Sequence, residues 1–183
     1  MDALIAINSR ASAIKLGAPG PTRDQLDIIL KAGTRAPDHG RLSPWRFVVL
    51  EGQARHVLGD AMSAMRRRLS PEATDDEVMK EGQKVMRAPT IVVVAAHVLP
   101  PGKIPEIERI VAVGAAMQNM ILAAHALGFG TMWKTGAPAY YPEVKRAIGL
   151  APEDHVVGFL YLGSTETPGT PRESRLDGCV IQL

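Results

Sequence analysis

The sequence predicts a single domain, residues 1–183, in which helices and strands are mixed, and three stretches carry that prediction. Thr90-Ile91-Val92-Val93-Val94-Ala95-Ala96 is a continuous β-branched run, the pattern of a central strand buried on both faces. Glu106 to Leu127 reads as a long helix apolar around most of its girth, which must be covered on several sides; a partner subunit would be one cover. Arg35 to Leu50 begins as an irregular polar stretch, where Pro37, Gly40 and Pro44 forbid continuous helix, and ends in the β-prone residues Phe47 to Leu50. That loop holds two arginines, an aspartate, a histidine, a serine and a tryptophan within eleven positions, and rigid loops on a sheet edge commonly hold ligands.

The remaining elements follow in chain order. Residues 2 to 9 suit a short helix, and Arg10 to Leu16 an extended exit on which Arg10 and Ser12 share a face. Pro19-Gly20-Pro21 breaks the chain, then Thr22 with Gln25 makes a capping box for a helix whose stripe is Leu26, Ile29 and Leu30 and which Gly33 ends. Val57, Leu58, Ala61, Met62, Met65 and Leu69 recur at helical spacing. Ser70 to Glu77 reads as an exposed connector into a helix running through Val78, Met79, Val85 and Met86, which Ala88-Pro89 stops. Pro100 to Pro105 reads as a stiff loop. Beyond the long helix, Thr131 to Lys134 is a short strand with Thr135-Gly136 as its turn, Tyr141 to Gly149 a small capped helix, and Val156 to Gly163 a third strong strand. A Pro/Gly/Ser/Thr-rich tail follows from Ser164.

Composition excludes several classes. Lys plus Arg number 21 against 19 Asp plus Glu, and a net charge of +2 is too small to imply nucleic acid. The densest basic run, Arg66-Arg67-Arg68, falls at a helix end, where cations suit the negative end of the dipole. One cysteine, Cys179, permits neither an internal disulfide nor a cysteine metal cage, and five histidines show no ligand spacing. No secretory signal is visible, and Ile110 to Gly130 is interrupted by Gln118, Asn119 and His125, so the expectation is a cytoplasmic protein without a membrane span. Gly128-x-Gly130 follows a helix and meets Trp133, which rejects a dinucleotide fingerprint. Asp38 and His39 are adjacent on an extended loop and point opposite ways, so a structural or ligand-contact role suits them better than a catalytic pair.

Several segments together resemble the nitroreductase-like flavoprotein family, in particular its short YdjA-type branch. They are M-D-A-L at the start, R-A-S at 10 to 12, L-K-A-G-T-R-A-P-D-H at 30 to 39 and P-W-R-F at 44 to 47. L-G-F-G-T-M-W-K-T-G-A at 127 to 137 and V-G-F-L-Y-L-G at 157 to 163 complete the set. The resemblance implies an α+β fold, a mixed or antiparallel sheet flanked by helices, in a homodimer with two FMN sites at the subunit interface and an extended C-terminal tail. Arg10, Ala11 and Ser12 would bind the ribityl and phosphate side from one subunit, and Arg35 and His39 would reach it from the other. Thr131, Met132 and Trp133 would complete the cradle, and Arg175 resembles part of a phosphate-binding tail in which Glu173 replaces the usual lysine. Phosphate wants arginine and hydroxyl donors, and a flavin ring wants apolar walls. Many members carry a cation two residues after the R-x-S serine; that position is Ile14 here, with Lys15 next to it. Leu42-Ser43 stands before P-W where many relatives have Asn or Gln.

The implied activity is ping-pong hydride transfer from NAD(P)H through FMN to a nitroaromatic, quinone or similar small-molecule acceptor. No residue need act as acid or base. A non-catalytic flavin-binding or storage module would use the same residues, and a nucleic-acid binder built on Arg66 to Arg68 would be flavin-free.

Overall fold

The computed structural model describes residues 1–98 and 103–182. The expected loop at 100–105 therefore lies partly outside the described residues. The fold is α+β, and its sheet is built outward from the apolar run: β1 (Trp45–Glu51), β2 (Thr90–Ala96), β3 (Gly130–Lys134) and β4 (His155–Gly163) stand in the order β1-β2-β4-β3. Every pairing is antiparallel, so the sheet is not mixed. All seven residues of β2 are buried, because both faces of this inner strand are covered.

The two faces carry different layers. On one, Ile91, Val93 and Ala95 of β2 meet α3 (Ala54–Leu69) through Leu58, Met62 and Met65, with α6 (Ala137–Tyr140) and α7 (Pro142–Ala147) beside it. On the other, Val92 and Val94 meet Leu26 and Ile29 of α2 (Arg23–Gly33) and Val113, Met117 and Met120 of α5 (Glu106–Ala126). Successive β2 side chains thus feed two separate cores, as strand alternation requires. Helix α5 is long and apolar enough to cross a membrane by length and composition, but eight of its residues are buried in this packing. Ile107 and Val111 are left 61% and 63% exposed on its outer side. Helix α1 (Ala3–Ser9) lies against α5 and exposes Leu4, Ile5 and Ile7.

Local differences from the expectations have physical causes. The connector after α3 ends at Thr74, because Thr74 and Glu77 form a reciprocal capping box that opens α4 (Asp75–Gln83) three residues inside the stretch read as loop. Hydrogen bonds from Thr74 hold the Glu77 carboxyl below its usual range. Val85 and Met86 fall in a short 3₁₀ turn, Lys84–Arg87, instead of an α-helix. Val57 and Leu69 face outward from α3. Pro142 opens α7 without a side-chain cap, and the four-residue α6 had no periodic signal to announce it. The Thr22–Gln25 box is present as read.

Ile29 is fully buried between α2 and the sheet, so Ile29→Ala should destabilise by about 2–5 kcal/mol through lost transfer energy and a residual cavity. Thr74→Ala should lose only about 1 kcal/mol, the worth of one cap. Urea denaturation of both variants checks the ranking.

Candidate functional site

Arg10 follows α1 directly, its backbone N–H closing that helix onto Ala6. The chain then passes Ala11 and Ser12 to Ala13, whose N–H donates to the Thr131 carbonyl of β3 at 2.9 Å. This single bond brings two of the expected segments together. The Arg10 side chain is half-buried, and its Nε is buried without a hydrogen-bond partner among the described residues. A buried, unpaired guanidinium nitrogen is costly unless an anion completes it.

Beside this strand lies a cavity of about 840 Å³. Its floor is the sheet, where Met132 pairs with Tyr161 and Lys134 with Phe159 across β3 and β4. Its far wall is Met62, Met65 and Arg66 of α3 with Lys84 and Arg87 of the 3₁₀ turn, and its rim is Ile14, Lys15 and the 135–138 turn. Burial lifts the Tyr161 phenol above its ordinary range, with Arg87 opposing and Glu81 adding to the shift. Glu81 is the one carboxylate among the described lining residues and is paired with Lys84 at 2.5 Å. Net positive potential and apolar walls suit a planar ligand that carries negative charge. Ile14 at the rim is 74% exposed, and Lys15 beside it is the first cation after Ser12 in the chain.

Alternation along β3 divides the expected trio. Met132 turns into the cavity, whereas Trp133 turns to the opposite face, where its Nε1 donates to the Val157 carbonyl at 3.2 Å. Gly158 makes that possible, since a Cβ there would stand 2.2 Å from Trp133 Nε1. Thr131 is buried and offers its backbone carbonyl.

Arg35 and His39 lie elsewhere. Arg35 is exposed just past the end of α2, and His39 sits on the short 3₁₀ turn His39–Arg41. The loop is held tightly: the Asp38 carboxylate accepts from the Ser43 N–H at 2.6 Å, and Pro44 O accepts from His97 N at 2.7 Å. Gly40, at φ +77°, lies so close to Ile104 that a Cβ would meet its Cδ1 at 2.2 Å, and Arg41 and Ser43 both adopt positive φ. His39 Nδ1 stands 2.5 Å from Glu108 Oε2 in the first turn of α5. At the other end of α5, His125 Nε2 is 2.9 Å from Ser9 Oγ, beside Arg10. Arg175 in the tail is paired with Glu173 at 3.0 Å. Arg66, Arg67 and Arg68 each face a carboxylate, Glu77, Asp75 and Glu143 respectively. The cavity cations Arg87 and Lys134 and the partner of His39, Glu108, were not singled out from sequence, because nothing local marks a residue whose role is set by a distant neighbour.

Fold and site together define an α+β protein with a basic, apolar-floored cavity at one end of an antiparallel sheet. A family model described as "Nitroreductase family" matches residues 7–164. Over 166 residues the chain is 39% identical to the Escherichia coli (strain K12) protein named "Putative NAD(P)H nitroreductase YdjA", covering 91% of this chain and 90% of that one. The nitroreductase-like family protein from Bacillus cereus superposes with a TM-score of 0.84 at 26% identity, covering 100% of this chain and 96% of that one. A Desulfovibrio desulfuricans structure, "a putative nitroreductase in complex with fmn", gives a TM-score of 0.77 at 25% identity over 98% and 95% of the two chains. The chain belongs to the nitroreductase family.

Two measurements check the local geometry. Gly158→Val should expel the Trp133 indole from its seat on Val157 and shift its fluorescence to the red. Asp154 is buried at the start of β4; burial pushes its carboxyl up, but hydrogen bonds from His97, Val98 and Ala151 outweigh this and leave it below the usual range. A depressed carboxylate contributes stability that is full above the unfolded value of about 3.9 and is lost as pH falls through the folded value. Asp154→Asn should flatten that acid limb in denaturation series between pH 5 and 2.

Proposed function

We propose that residues 1–183 form one flavin-binding domain of an FMN-dependent NAD(P)H oxidoreductase, cytoplasmic and homodimeric, with two sites each built by both chains. The observation that carries the shared site is a separation within one chain. The Ser9–His125 contact beside Arg10 and the His39–Glu108 contact stand at opposite ends of α5, seventeen residues apart, roughly 25 Å at about 1.5 Å per residue. A flavin mononucleotide seated on Arg10 does not span that length. A second copy can bring its own loop to the first chain's Arg10, and the exposed apolar faces of α1 and α5 supply surface for such a pairing.

In this reading Arg10, Ala11 and Ser12 hold the ribityl and phosphate side, the unpaired Arg10 Nε gaining its acceptor there. The cavity beside Met132 takes the ring, Thr131 fixes the strand that forms its floor, and Trp133 braces that strand from behind. Met62, Met65 and Phe159 keep water from the ring, and Lys15, Arg87 and Lys134 favour negative charge on it. The partner's Arg35 and the partner's His39 close the site, and Arg175 is a further phosphate ligand on leaving Glu173. When bound, FMN supplies two-electron chemistry, taking hydride from NAD(P)H and passing it to a nitroaromatic, quinone or similar small-molecule acceptor in separate half-reactions.

The purified protein should show a flavin absorption spectrum at one FMN per chain, oxidise one NAD(P)H per flavin without an acceptor and turn over continuously only when an acceptor is present; flavin without such turnover would establish a storage role instead. Arg10→Ala should weaken FMN at least about tenfold with little change in melting temperature, as a charge-assisted contact of about 1.5–3 kcal/mol requires. A mixed dimer of one Arg10→Ala chain with one Arg35→Ala/His39→Ala chain puts both lesions in one site. It should retain about one tight FMN per two chains, whereas two equally weakened sites would refute sharing.

A further inference from the structure

We propose that Glu108 is a positioning residue for His39: it holds the Nδ1 edge of the imidazole so that Nε2 is the nitrogen turned to the cofactor. The proposal rests on the reading of His39 as a cofactor contact. A carboxylate only accepts, so the 2.5 Å contact from Nδ1 to Glu108 Oε2 places the ring proton on Nδ1 and leaves Nε2 as the outward nitrogen.

Two features separate this role from mere loop anchoring. The backbone of the loop is already fixed by Asp38 on Ser43, by Pro44 on His97 and by Gly40 against Ile104, none of which involves the imidazole. The ring itself, in contrast, is 68% exposed at the rim of an apolar hollow of about 390 Å³ formed by Pro37, Ile107, Val111 and Ala115. Among the described residues lining that hollow, no side chain besides Glu108 is polar enough to steer the ring. Glu108 lies in the first turn of the 21-residue α5, eight of whose residues are buried, so the group that orients the ring is carried on a helix and not on the loop itself.

The test uses the full chain with ¹⁵N-labelled histidine, the His39 signal being assigned by its loss in His39→Asn. The native ring should show the Nδ1–H pattern without added FMN, Glu108→Gln should keep it because the amide oxygen still accepts, and Glu108→Ala should mix the two tautomers. Titrated with FMN, Glu108→Ala should bind about fivefold more weakly, the worth of one hydrogen bond, and Glu108→Gln should recover most of that loss. In a His39→Ala background Glu108→Ala should add nothing. An Nε2–H pattern in the native protein, or an equal loss from Glu108→Ala with and without His39, would overturn the proposal. If His39→Ala leaves FMN binding unchanged while the native ring still shows Nδ1–H, the cofactor contact itself is wrong and the positioning role falls with it; the flavin sites built on Arg10 are then judged on their own titration.

Discussion

The double burial of β2 is the constraint on which the architecture depends. A strand with Val92 and Val94 on one face and Ile91, Val93 and Ala95 on the other cannot stand at the surface, so the chain must supply a helical layer to each side. It does so asymmetrically. The α2–α5 layer sets the fully buried Ile29, Val113, Met117 and Met120 against the sheet. The α3 layer stands off near β3, and the space it leaves over Met132 and Tyr161 is the cavity. The site is thus the gap between one well-filled core and one incompletely filled one.

The gap opens to solvent at its basic side. There the exposed Lys15, Arg87 and Lys134 edge a methionine-rich space in which Glu81, the one carboxylate among the described lining residues, is engaged by Lys84. Methionine walls adapt their shape at little energetic cost, which suits the proposed succession of donor and acceptor.

Much of the scaffold was legible in the chain because its signals are periodic and local. The β-branched run, the Thr22 box and the helical stripe of Leu58, Met62 and Met65 each declare their element without help from elsewhere. The start of α4 was misplaced although Thr74 and Glu77 carry the same box, because the acidic run around it reads as solvent-exposed loop. At the site, R-A-S and T-M-W were recognisable as segments, but their adjacency depends on one Ala13–Thr131 bond across well over a hundred residues, and no local pattern encodes it. Alternation along β3 could have been applied to predict that Met132 and Trp133 part company. Glu108 had no signal at all, being one acidic residue in the first turn of a helix, where acids are common for dipole reasons alone.

The chain segment that carries Arg10 to Leu16 is tied down by the far end of the sequence. Gly17 and Ser164 exchange backbone hydrogen bonds at 2.9 Å, the Thr165 hydroxyl donates to Lys15 O at 2.7 Å, and Ile14 N donates to Thr167 O at 3.4 Å. These close loops of about 150 residues, among the longest that hydrogen bonds close in the described residues. Closing such a span costs chain entropy that local contacts do not. A molecule held by Arg10 and Ser12, as proposed above, would therefore brace the 10–16 segment and the 164–167 segment together.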